Sequence, residues 1–262
     1  MNFLQGWMAD RIADKISVRA VSKPSKRALR RPRTLAGDYV AMRTAYGTMH
    51  HWPLDDTGVD IDLYDFDPHT IYFLAVENRG FGRKHLNGGL RLTQVYDFND
   101  TLSLAMWDQA IDKQKVTRDL IKHKQDVAIL KKAAKKGYLW DLTRLVTAMS
   151  LQAERTPKTK RATYAALLLM LGAAMKHTGP DAFWLFTTNR ETKRFLDKLG
   201  IQYALLADGC IGYSDAGDSY LGWTSAPAAY EQLKSGNPVV ARLVERGYKQ
   251  GAVRHSGGSS VS

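Results

Sequence analysis

The sequence predicts an α/β sandwich, and three observations predict it. Runs of strand-forming residues alternate with helical stretches between residues 60 and 206. Two of those runs, 71–76 and 139–149, read as strands inside a sheet. The helical stretch 162–177 is apolar around its circumference, so other elements must largely cover it.

Composition bounds the rest. The 262 residues allow one large domain or two small ones; 44% hydrophobic and 24% charged residues describe a globular chain, not a disordered one. The longest apolar run, Ala165 to Ala174, falls short of the ~18 residues that span a bilayer, so no transmembrane segment is expected. Charge is the unusual quantity: 38 Lys+Arg against 26 Asp+Glu leave a net +12. That surplus calls for an acidic partner, whether nucleic acid, anionic membrane, phosphorylated ligand or acidic protein. The one cysteine, Cys210, excludes an intramolecular disulfide framework and a multi-cysteine zinc site. It reads as a small core residue, and a lone thiol fits a reducing compartment, the cytoplasm.

Along the chain, Phe3, Leu4, Trp7, Met8, Ile12 and Ile16 occupy one face of an amphipathic helix over 1–18. Asp10, Arg11, Asp14 and Lys15 interrupt any signal-peptide core. Residues 11–33 hold nine basic and one acidic residue and read as a flexible arm. The main domain therefore spans 35–235, preceded by helix and arm (1–34) and followed by a tail (236–262) ending in a Ser/Gly-rich stretch. A helix over 35–50 carries the stripe Leu35, Tyr39, Met42 and Tyr46. Strands 71–76 and 88–95 form a hairpin across a loop with Gly80 and Gly82. Helical sequence from 102 to 136 follows; its part over 111–137, a basic insertion, has nine Lys/Arg against three Asp. Strands at 183–188 and 201–206 flank a helix at 191–199.

Several chemistries are excluded by absence of their motifs. There is no G-x-G-x-x-G after a first strand and no G-x-x-x-x-G-K-[ST], hence no ordinary dinucleotide or P-loop site. There is no H-E-x-x-H, no G-x-S-x-G and no Cys/His zinc spacing, and no metal is expected.

Charge inside strand-forming sequence carries the remaining signal. Asp60-Ile-Asp62-Leu-Tyr-Asp65 precedes the 71–76 strand, Arg91 stands between Leu90 and Leu92, and Asp141, Thr143 and Arg144 interrupt 139–149. Alternation puts Asp141 and Thr143 on one face, with Arg144 on the other unless a bulge intervenes. A charge in a sheet is costly unless paired, so these groups partner one another or a charged ligand.

In this order the motifs resemble the acyl-homoserine-lactone (autoinducer) synthase family of the GNAT acyltransferase superfamily. An aromatic-rich helix with Arg43, Tyr46 and Trp52 is followed by D-I-D-L-Y-D, G-G-L-R-L-T and W-D-L-T-R-L-V, then by an alanine-rich helix, the strand Trp184-Leu-Phe-Thr-Thr188 and a basic helix from Glu191. The likeness covers roughly residues 39–225. Departures are Asp60 and Asp141 where the family has glutamate, Tyr46 for phenylalanine, Thr143 for serine and Leu145 for phenylalanine.

The resemblance implies a three-layer α/β/α GNAT-like sandwich with a mixed, splayed central sheet. It implies transfer of an acyl group from acyl-carrier protein, or acyl-CoA, to the amine of S-adenosylmethionine (SAM), then lactonisation with release of methylthioadenosine (MTA). SAM is then a substrate, the donor carries phosphopantetheine, and nothing else is tightly bound. In this scheme Arg43 holds the SAM carboxylate, Tyr46 and Trp52 pack on the cofactor-like substrate, and Asp60 and Arg91 complete its site. Asp62 or Asp65 accepts the amine proton, while Arg91, Asp141 and Arg144 form the network that fixes the strands, with an oxyanion donor after Arg144. Met149, Leu168, Leu171, Phe183, Trp184 and Phe186 are candidates for the acyl slot, and Thr187 or Thr188 for contact with a 3-oxo group. The loop Arg155, Lys158, Lys160 and Arg161, and the helix residues Lys193, Arg194 and Lys198, are candidates for docking an acidic carrier protein; the loop lacks the glycines expected of a CoA site. Two other readings are an N-acyltransferase using acyl-CoA and a different amine, and a basic nucleic-acid-binding protein.

Overall fold

In the computed structural model, residues 11–49, 54–79, 84–105, 123–147, 156–206, 211–212 and 218–256 are described. Their strands are β1 (Ile16–Ser22), β2 (Thr70–Asn78), β3 (Lys84–Val95), β4 (Leu139–Thr147), β5 (Phe183–Asn189), β6 (Ala204–Leu205), β7 (Ile211–Gly212), β8 (Asp218–Ser225) and β9 (Val253–Ser256). The helices are α1 (Lys26–Arg30), α2 (Leu35–Met49), α3 (Lys124–Lys135), α4 (Pro157–Thr178), α5 (Arg190–Leu199), α6 (Ala226–Ser235) and α7 (Pro238–Gln250).

The strands form one mixed sheet in the order β6-β8-β5-β4-β3-β2-β1-β9, with β7 on β8. Pairing is antiparallel except between β4 and β5 and between β1 and β9. Pleating sorts the side chains into two layers of core. Ile71, Phe73 and Ala75 of β2, Leu90 and Leu92 of β3, Trp140 and Trp184 face α4. On the opposite face Tyr72 and Leu74 meet Tyr39 and Val40 of α2, while Leu139, Leu185 and Leu221 meet Leu130 and Ala133 of α3. The α/β/α sandwich expected from the sequence is the fold. Helix α4 is covered as its composition demands, by the sheet beneath and by α7 above. The α4–α7 crossing needs two glycines: a Cβ on Gly172 would lie 2.1 Å from the Val244 oxygen, and one on Gly247 2.3 Å from the Leu169 oxygen.

The sheet opens at its centre. β4 and β5 register only from Leu139↔Phe183 to Leu142↔Phe186, although the strands continue to Thr147 and Asn189. Just beyond Leu142, β4 bulges against β3: Arg91 opposes Thr143 and Gly89 opposes Val146, so the register shifts across Arg144 and Leu145. Arg144 takes φ 55, in the left-handed region.

Five sequence expectations are corrected. The stretch read as helix and flexible arm is helical at 11–13 and then contains β1, paired with β2 throughout; Ile16, Val18 and Ala20 alternate into the core, so the helical face does not extend to Ile16. The stretch beyond 236 is no tail up to Ser256, because Val239, Leu243 and Val244 pack into the core and β9 extends the edge beside β1. Helical sequence over 102–136 is not shown as one helix: 102–105 and Lys124–Lys135 are separate described pieces. The basic loop over 155–161 is the start of α4 from Pro157 onward, since Thr156 caps the Thr159 N–H and proline suits the first turn. Of 201–206 only Ala204–Leu205 pairs as strand. Residues 1–10, Trp52, 106–122, Met149, Arg155, Cys210 and 257–262 lie outside the described residues.

Candidate active site

The D-I-D-L-Y-D sequence folds as a short 3-10 turn, Leu63–Phe66, with a capping box. Asp62 accepts from the Tyr64 N–H at 3.0 Å, and Asp65 reaches back to accept from the Asp62 N–H at 2.9 Å. This local geometry turns all three carboxylates toward arginines on α2, β3 and β4. Arg43 donates through Nε to Asp60 (3.0 Å) and through both Nη atoms to Asp65 (2.7 and 3.2 Å). Arg91 donates to both oxygens of Asp62 (2.7 and 3.0 Å), to Asp65 (2.7 Å) and through Nε to Thr143 (3.0 Å). The Arg144 Nη2 lies 3.2 Å from Asp60 and 3.3 Å from Asp62. Tyr72 adds a bond to Asp65 at 2.6 Å.

Three guanidiniums thus face three carboxylates, and the cluster is formally neutral. Alternation alone would have sent Arg144 to the α4 face; the bulge carries it to the side of Arg91 and Thr143. Burial opposes ionisation of Asp65, but the Arg43 and Arg91 guanidiniums outweigh it and hold the carboxyl far below the usual carboxylate range. Burial opposes ionisation of Asp62 as well, and Arg91 again prevails, so its pKa is lowered too.

These contacts change the roles read from sequence. Arg43 and Arg91 are completely buried with every guanidinium nitrogen engaged, so Arg43 has no face for a ligand carboxylate and is instead a strut for the aspartates. Asp60 is likewise enclosed. Asp65, clasped by two arginines and held ionised, is no proton acceptor at neutral pH. Asp62 is the carboxylate of the three that meets solvent, with its side chain 21% exposed.

Asp141 stands outside the expected Arg91–Asp141–Arg144 network. It is buried on β4 and accepts instead from Ser103, through the backbone N–H at 3.0 Å and the hydroxyl at 2.5 Å. Burial raises its pKa to about 6, with the Ser103 bonds and the Arg91 charge opposing the rise.

Where β4 and β5 part, a cavity of about 130 Å³ opens, roughly ten times the ~10–15 Å³ that one water needs. β4 supplies Leu142, Thr143, Arg144 and Leu145; β5 supplies Trp184, Phe186, Thr187, Thr188 and Asn189. Leu167, Leu171 and Met175 of α4 and Phe195 and Leu196 of α5 close it, and Tyr46 and Ser103 also line it. Of the acyl-slot candidates, Leu171, Trp184 and Phe186 line it. Phe183 does not, because it packs on Trp223 at 5.7 Å, and Leu168 is buried in the α4 core. Both threonines line it; the Thr187 hydroxyl donates to the Ser103 carbonyl at 2.9 Å. Thr143 and Arg144 belong to cavity and charge cluster alike. Ser103, Leu142 and Asn189 were missed from sequence, where nothing local separates them from ordinary strand and loop residues; Leu145 was noted there only as a replacement for phenylalanine.

The basic candidates lie apart from the cavity's interior. Lys160, Arg194 and Lys198 are exposed or nearly so on α4 and α5, Arg161 is half-buried, and Lys193 pairs with Asp197 at 3.3 Å. The side chain of Lys158 is not among those described. Among the described residues no group of three His, Cys, Asp or Glu is arranged to hold a metal ion.

The fold is similar to that of BjaI, a CoA-dependent acyl-homoserine lactone synthase. With SAM and isopentyl-CoA bound, that structure has a TM-score of 0.51 at 13% identity, covering 94% of this chain and 95% of that one. With MTA bound the TM-score is 0.53, at the same identity and coverage. TofI, solved in a ternary complex with an inhibitor and MTA, has a TM-score of 0.50 at 14% identity, covering 86% of this chain and 99% of that one. No protein-family model matches the chain, and no curated protein does. At these identities the likeness is one of architecture.

Proposed function

We propose that this chain is an acyl-homoserine-lactone synthase, moving an acyl group from a phosphopantetheine thioester to the amine of SAM and then closing the lactone. One observation carries the reading: an apolar cavity in the splay of the sheet shares Thr143 and Arg144 with a neutral Asp/Arg cluster whose one solvent-facing carboxylate is Asp62. The BjaI structure with SAM and isopentyl-CoA supports it.

The residues suit the two steps. Asp62 attracts the ammonium and sulfonium charges of SAM, and the Tyr46 ring lining the cavity offers its face to a cation. The thioester carbonyl lies against the bulge, where backbone outside the ladder at Arg144 and Leu145 supplies the donor for the developing oxyanion. The nitrogen lone pair forms the amide bond as the C–S bond breaks and its electrons leave on the thiolate. In the second step a carboxylate oxygen attacks the γ-carbon, the bond to the sulfonium breaks, and its electron pair neutralises sulfur as MTA departs. Leu142, Leu171 and Phe186 shelter the acyl chain.

The donor is carried by acyl-carrier protein, whose acidic surface meets Lys160 and Arg161 at the start of α4 and Lys193, Arg194 and Lys198 of α5. Both substrates place the enzyme in the cytoplasm. Among the described residues no helix is long and apolar enough to cross a membrane.

Purified protein incubated with SAM and either acyl-carrier or acyl-CoA donors of several chain lengths should release MTA and an acyl-homoserine lactone, seen by chromatography and mass spectrometry. Absence of MTA with every donor sinks the reading; release with acyl-CoA alone replaces carrier protein by CoA.

A further inference from the structure

The acylation step has to remove a proton from the attacking nitrogen, and the two aspartates nearest the expected amine are poor acceptors. Arg43 and Arg91 neutralise Asp65, and Arg91 and Arg144 hold Asp62. The remaining carboxylate, Asp141, is 1% exposed and does not reach the cavity wall. Ser103 does. It lines the cavity, donates its hydroxyl to Asp141 Oδ1 at 2.5 Å and its N–H to Asp141 Oδ2 at 3.0 Å. Its own carbonyl is clamped by Thr187 of β5 at 2.9 Å, and Thr101 caps the Leu104 N–H one residue on at 3.3 Å. The hydroxyl therefore stands fixed between a cavity and a buried acid.

We propose that Ser103 is the proton relay of the acylation step, taking the proton shed by the substrate nitrogen while passing its own hydroxyl proton to Asp141. The inference rests on the reading given under Proposed function and assigns the base within it. The amine reacts in its neutral form, its ammonium proton having passed to water beforehand; as the amide forms, one further proton leaves nitrogen, one arrives on Asp141, and Ser103 ends as it began. Asp141 later yields its proton toward the thiolate.

The surroundings of Asp141 suit this task. Ser103 faces it from 102–105, Arg91 from β3 and Tyr64 from the 3-10 turn; its partner on β5 is the apolar Leu185. Burial raises its pKa to about 6, so it is ionised at neutral pH yet basic enough to accept a proton, near the optimum for a general base. Thr187 acquires a different role from the one its position at the strand end suggests: its hydroxyl is spent on Ser103.

The test compares wild type with Ser103→Ala and Ser103→Thr, reading thiol release against pH with SAM and the best donor. Wild-type kcat should fall below about pH 6, where Asp141 protonates. Ser103→Ala should lose kcat on the order of 100-fold with KM for SAM within a few-fold, and its rate should climb steadily with pH instead of reaching a plateau. Ser103→Thr, which keeps a hydroxyl, should recover most of the loss, separating relay from fold; thermal melts of both variants accompany the rates. Ser103→Ala with kcat near that of wild type, or with the same acid limb, overturns the relay alone. A wild type that releases no MTA removes the function proposed above, and the relay with it.

Discussion

The side-chain hydroxyl of Tyr39 donates a hydrogen bond to the main-chain oxygen of Arg144, tying α2 to the bulge of β4. Tyr39 is completely buried, and burial pushes its pKa up, so it remains a donor over the whole working range of pH. The bond holds a non-glycine residue at φ 55, a conformation that costs roughly 1–2 kcal/mol. Tyr39→Phe should therefore lower unfolding free energy by about 1 kcal/mol and kcat by about tenfold, because the oxyanion donor proposed above sits on the same bulge. Urea unfolding and steady-state rates check both; an unchanged kcat would detach the bulge from the chemistry.

Arg43 and Asp65 form a pair with no exposed side-chain surface on either partner. Arg43→Ala leaves two buried carboxylates without their fork and should cost about 3–5 kcal/mol of stability. Arg43→Lys keeps the charge but not the two-pronged contact and should fall between. Denaturant midpoints measure the series. Equal stability of Ala and Lys variants would show that charge, not geometry, is what the aspartates require.

Stability should respond to pH in two opposite senses. Asp62 and Asp65 have lowered folded pKa values, so their contribution is present above the unfolded value of ~3.9 and is lost as pH falls. Asp141 is raised to about 6, so its relative contribution is complete below ~3.9 and is lost as pH rises through about 6. The unfolding free energy of Asp141→Asn minus that of wild type should climb between roughly pH 4 and 6 and then level off. Urea titrations across that interval decide, and a flat difference would refute the raised pKa.

Leu171 lies on α4 across the cavity from the parted strands, 7% exposed. Leu171→Trp fills part of the space and should cut kcat/KM for the longest accepted donor by at least ~10-fold, while the shortest is little affected. Product profiles by mass spectrometry across a donor series read this directly. Uniform loss at all lengths would place the acyl chain elsewhere.

Local patterns were legible in the sequence, and contacts between distant segments were not. Period-two alternation around Leu90, Arg91 and Leu92, the apolar helix over 162–177 and the D-x-D-x-x-D spacing all survive as strand, helix and capped turn. β1 was hidden because Ile12 and Ile16 also fit a helical face and its second face carries the polar Ser17 and Arg19. The sequence showed that Arg43 and Asp65 were charged but not that they satisfy each other, which depends on α2 crossing the turn. Arg144 was left on either face of β4, since a bulge is decided by the neighbouring strand's register. Ser103 had no signal at all: its role arises from where the chain after β3 passes β4 and β5.

The parting of β4 and β5 also bears on how such a protein changes over time. The mouth of the site is written in main chain, in the strand lengths beyond Leu142 and Phe186 that stay unpaired with each other. No single side-chain replacement erases that opening, whereas almost any replacement on its walls alters what fits. The opening is thus a property of the strand pairing, and the side chains on its walls set what it can hold.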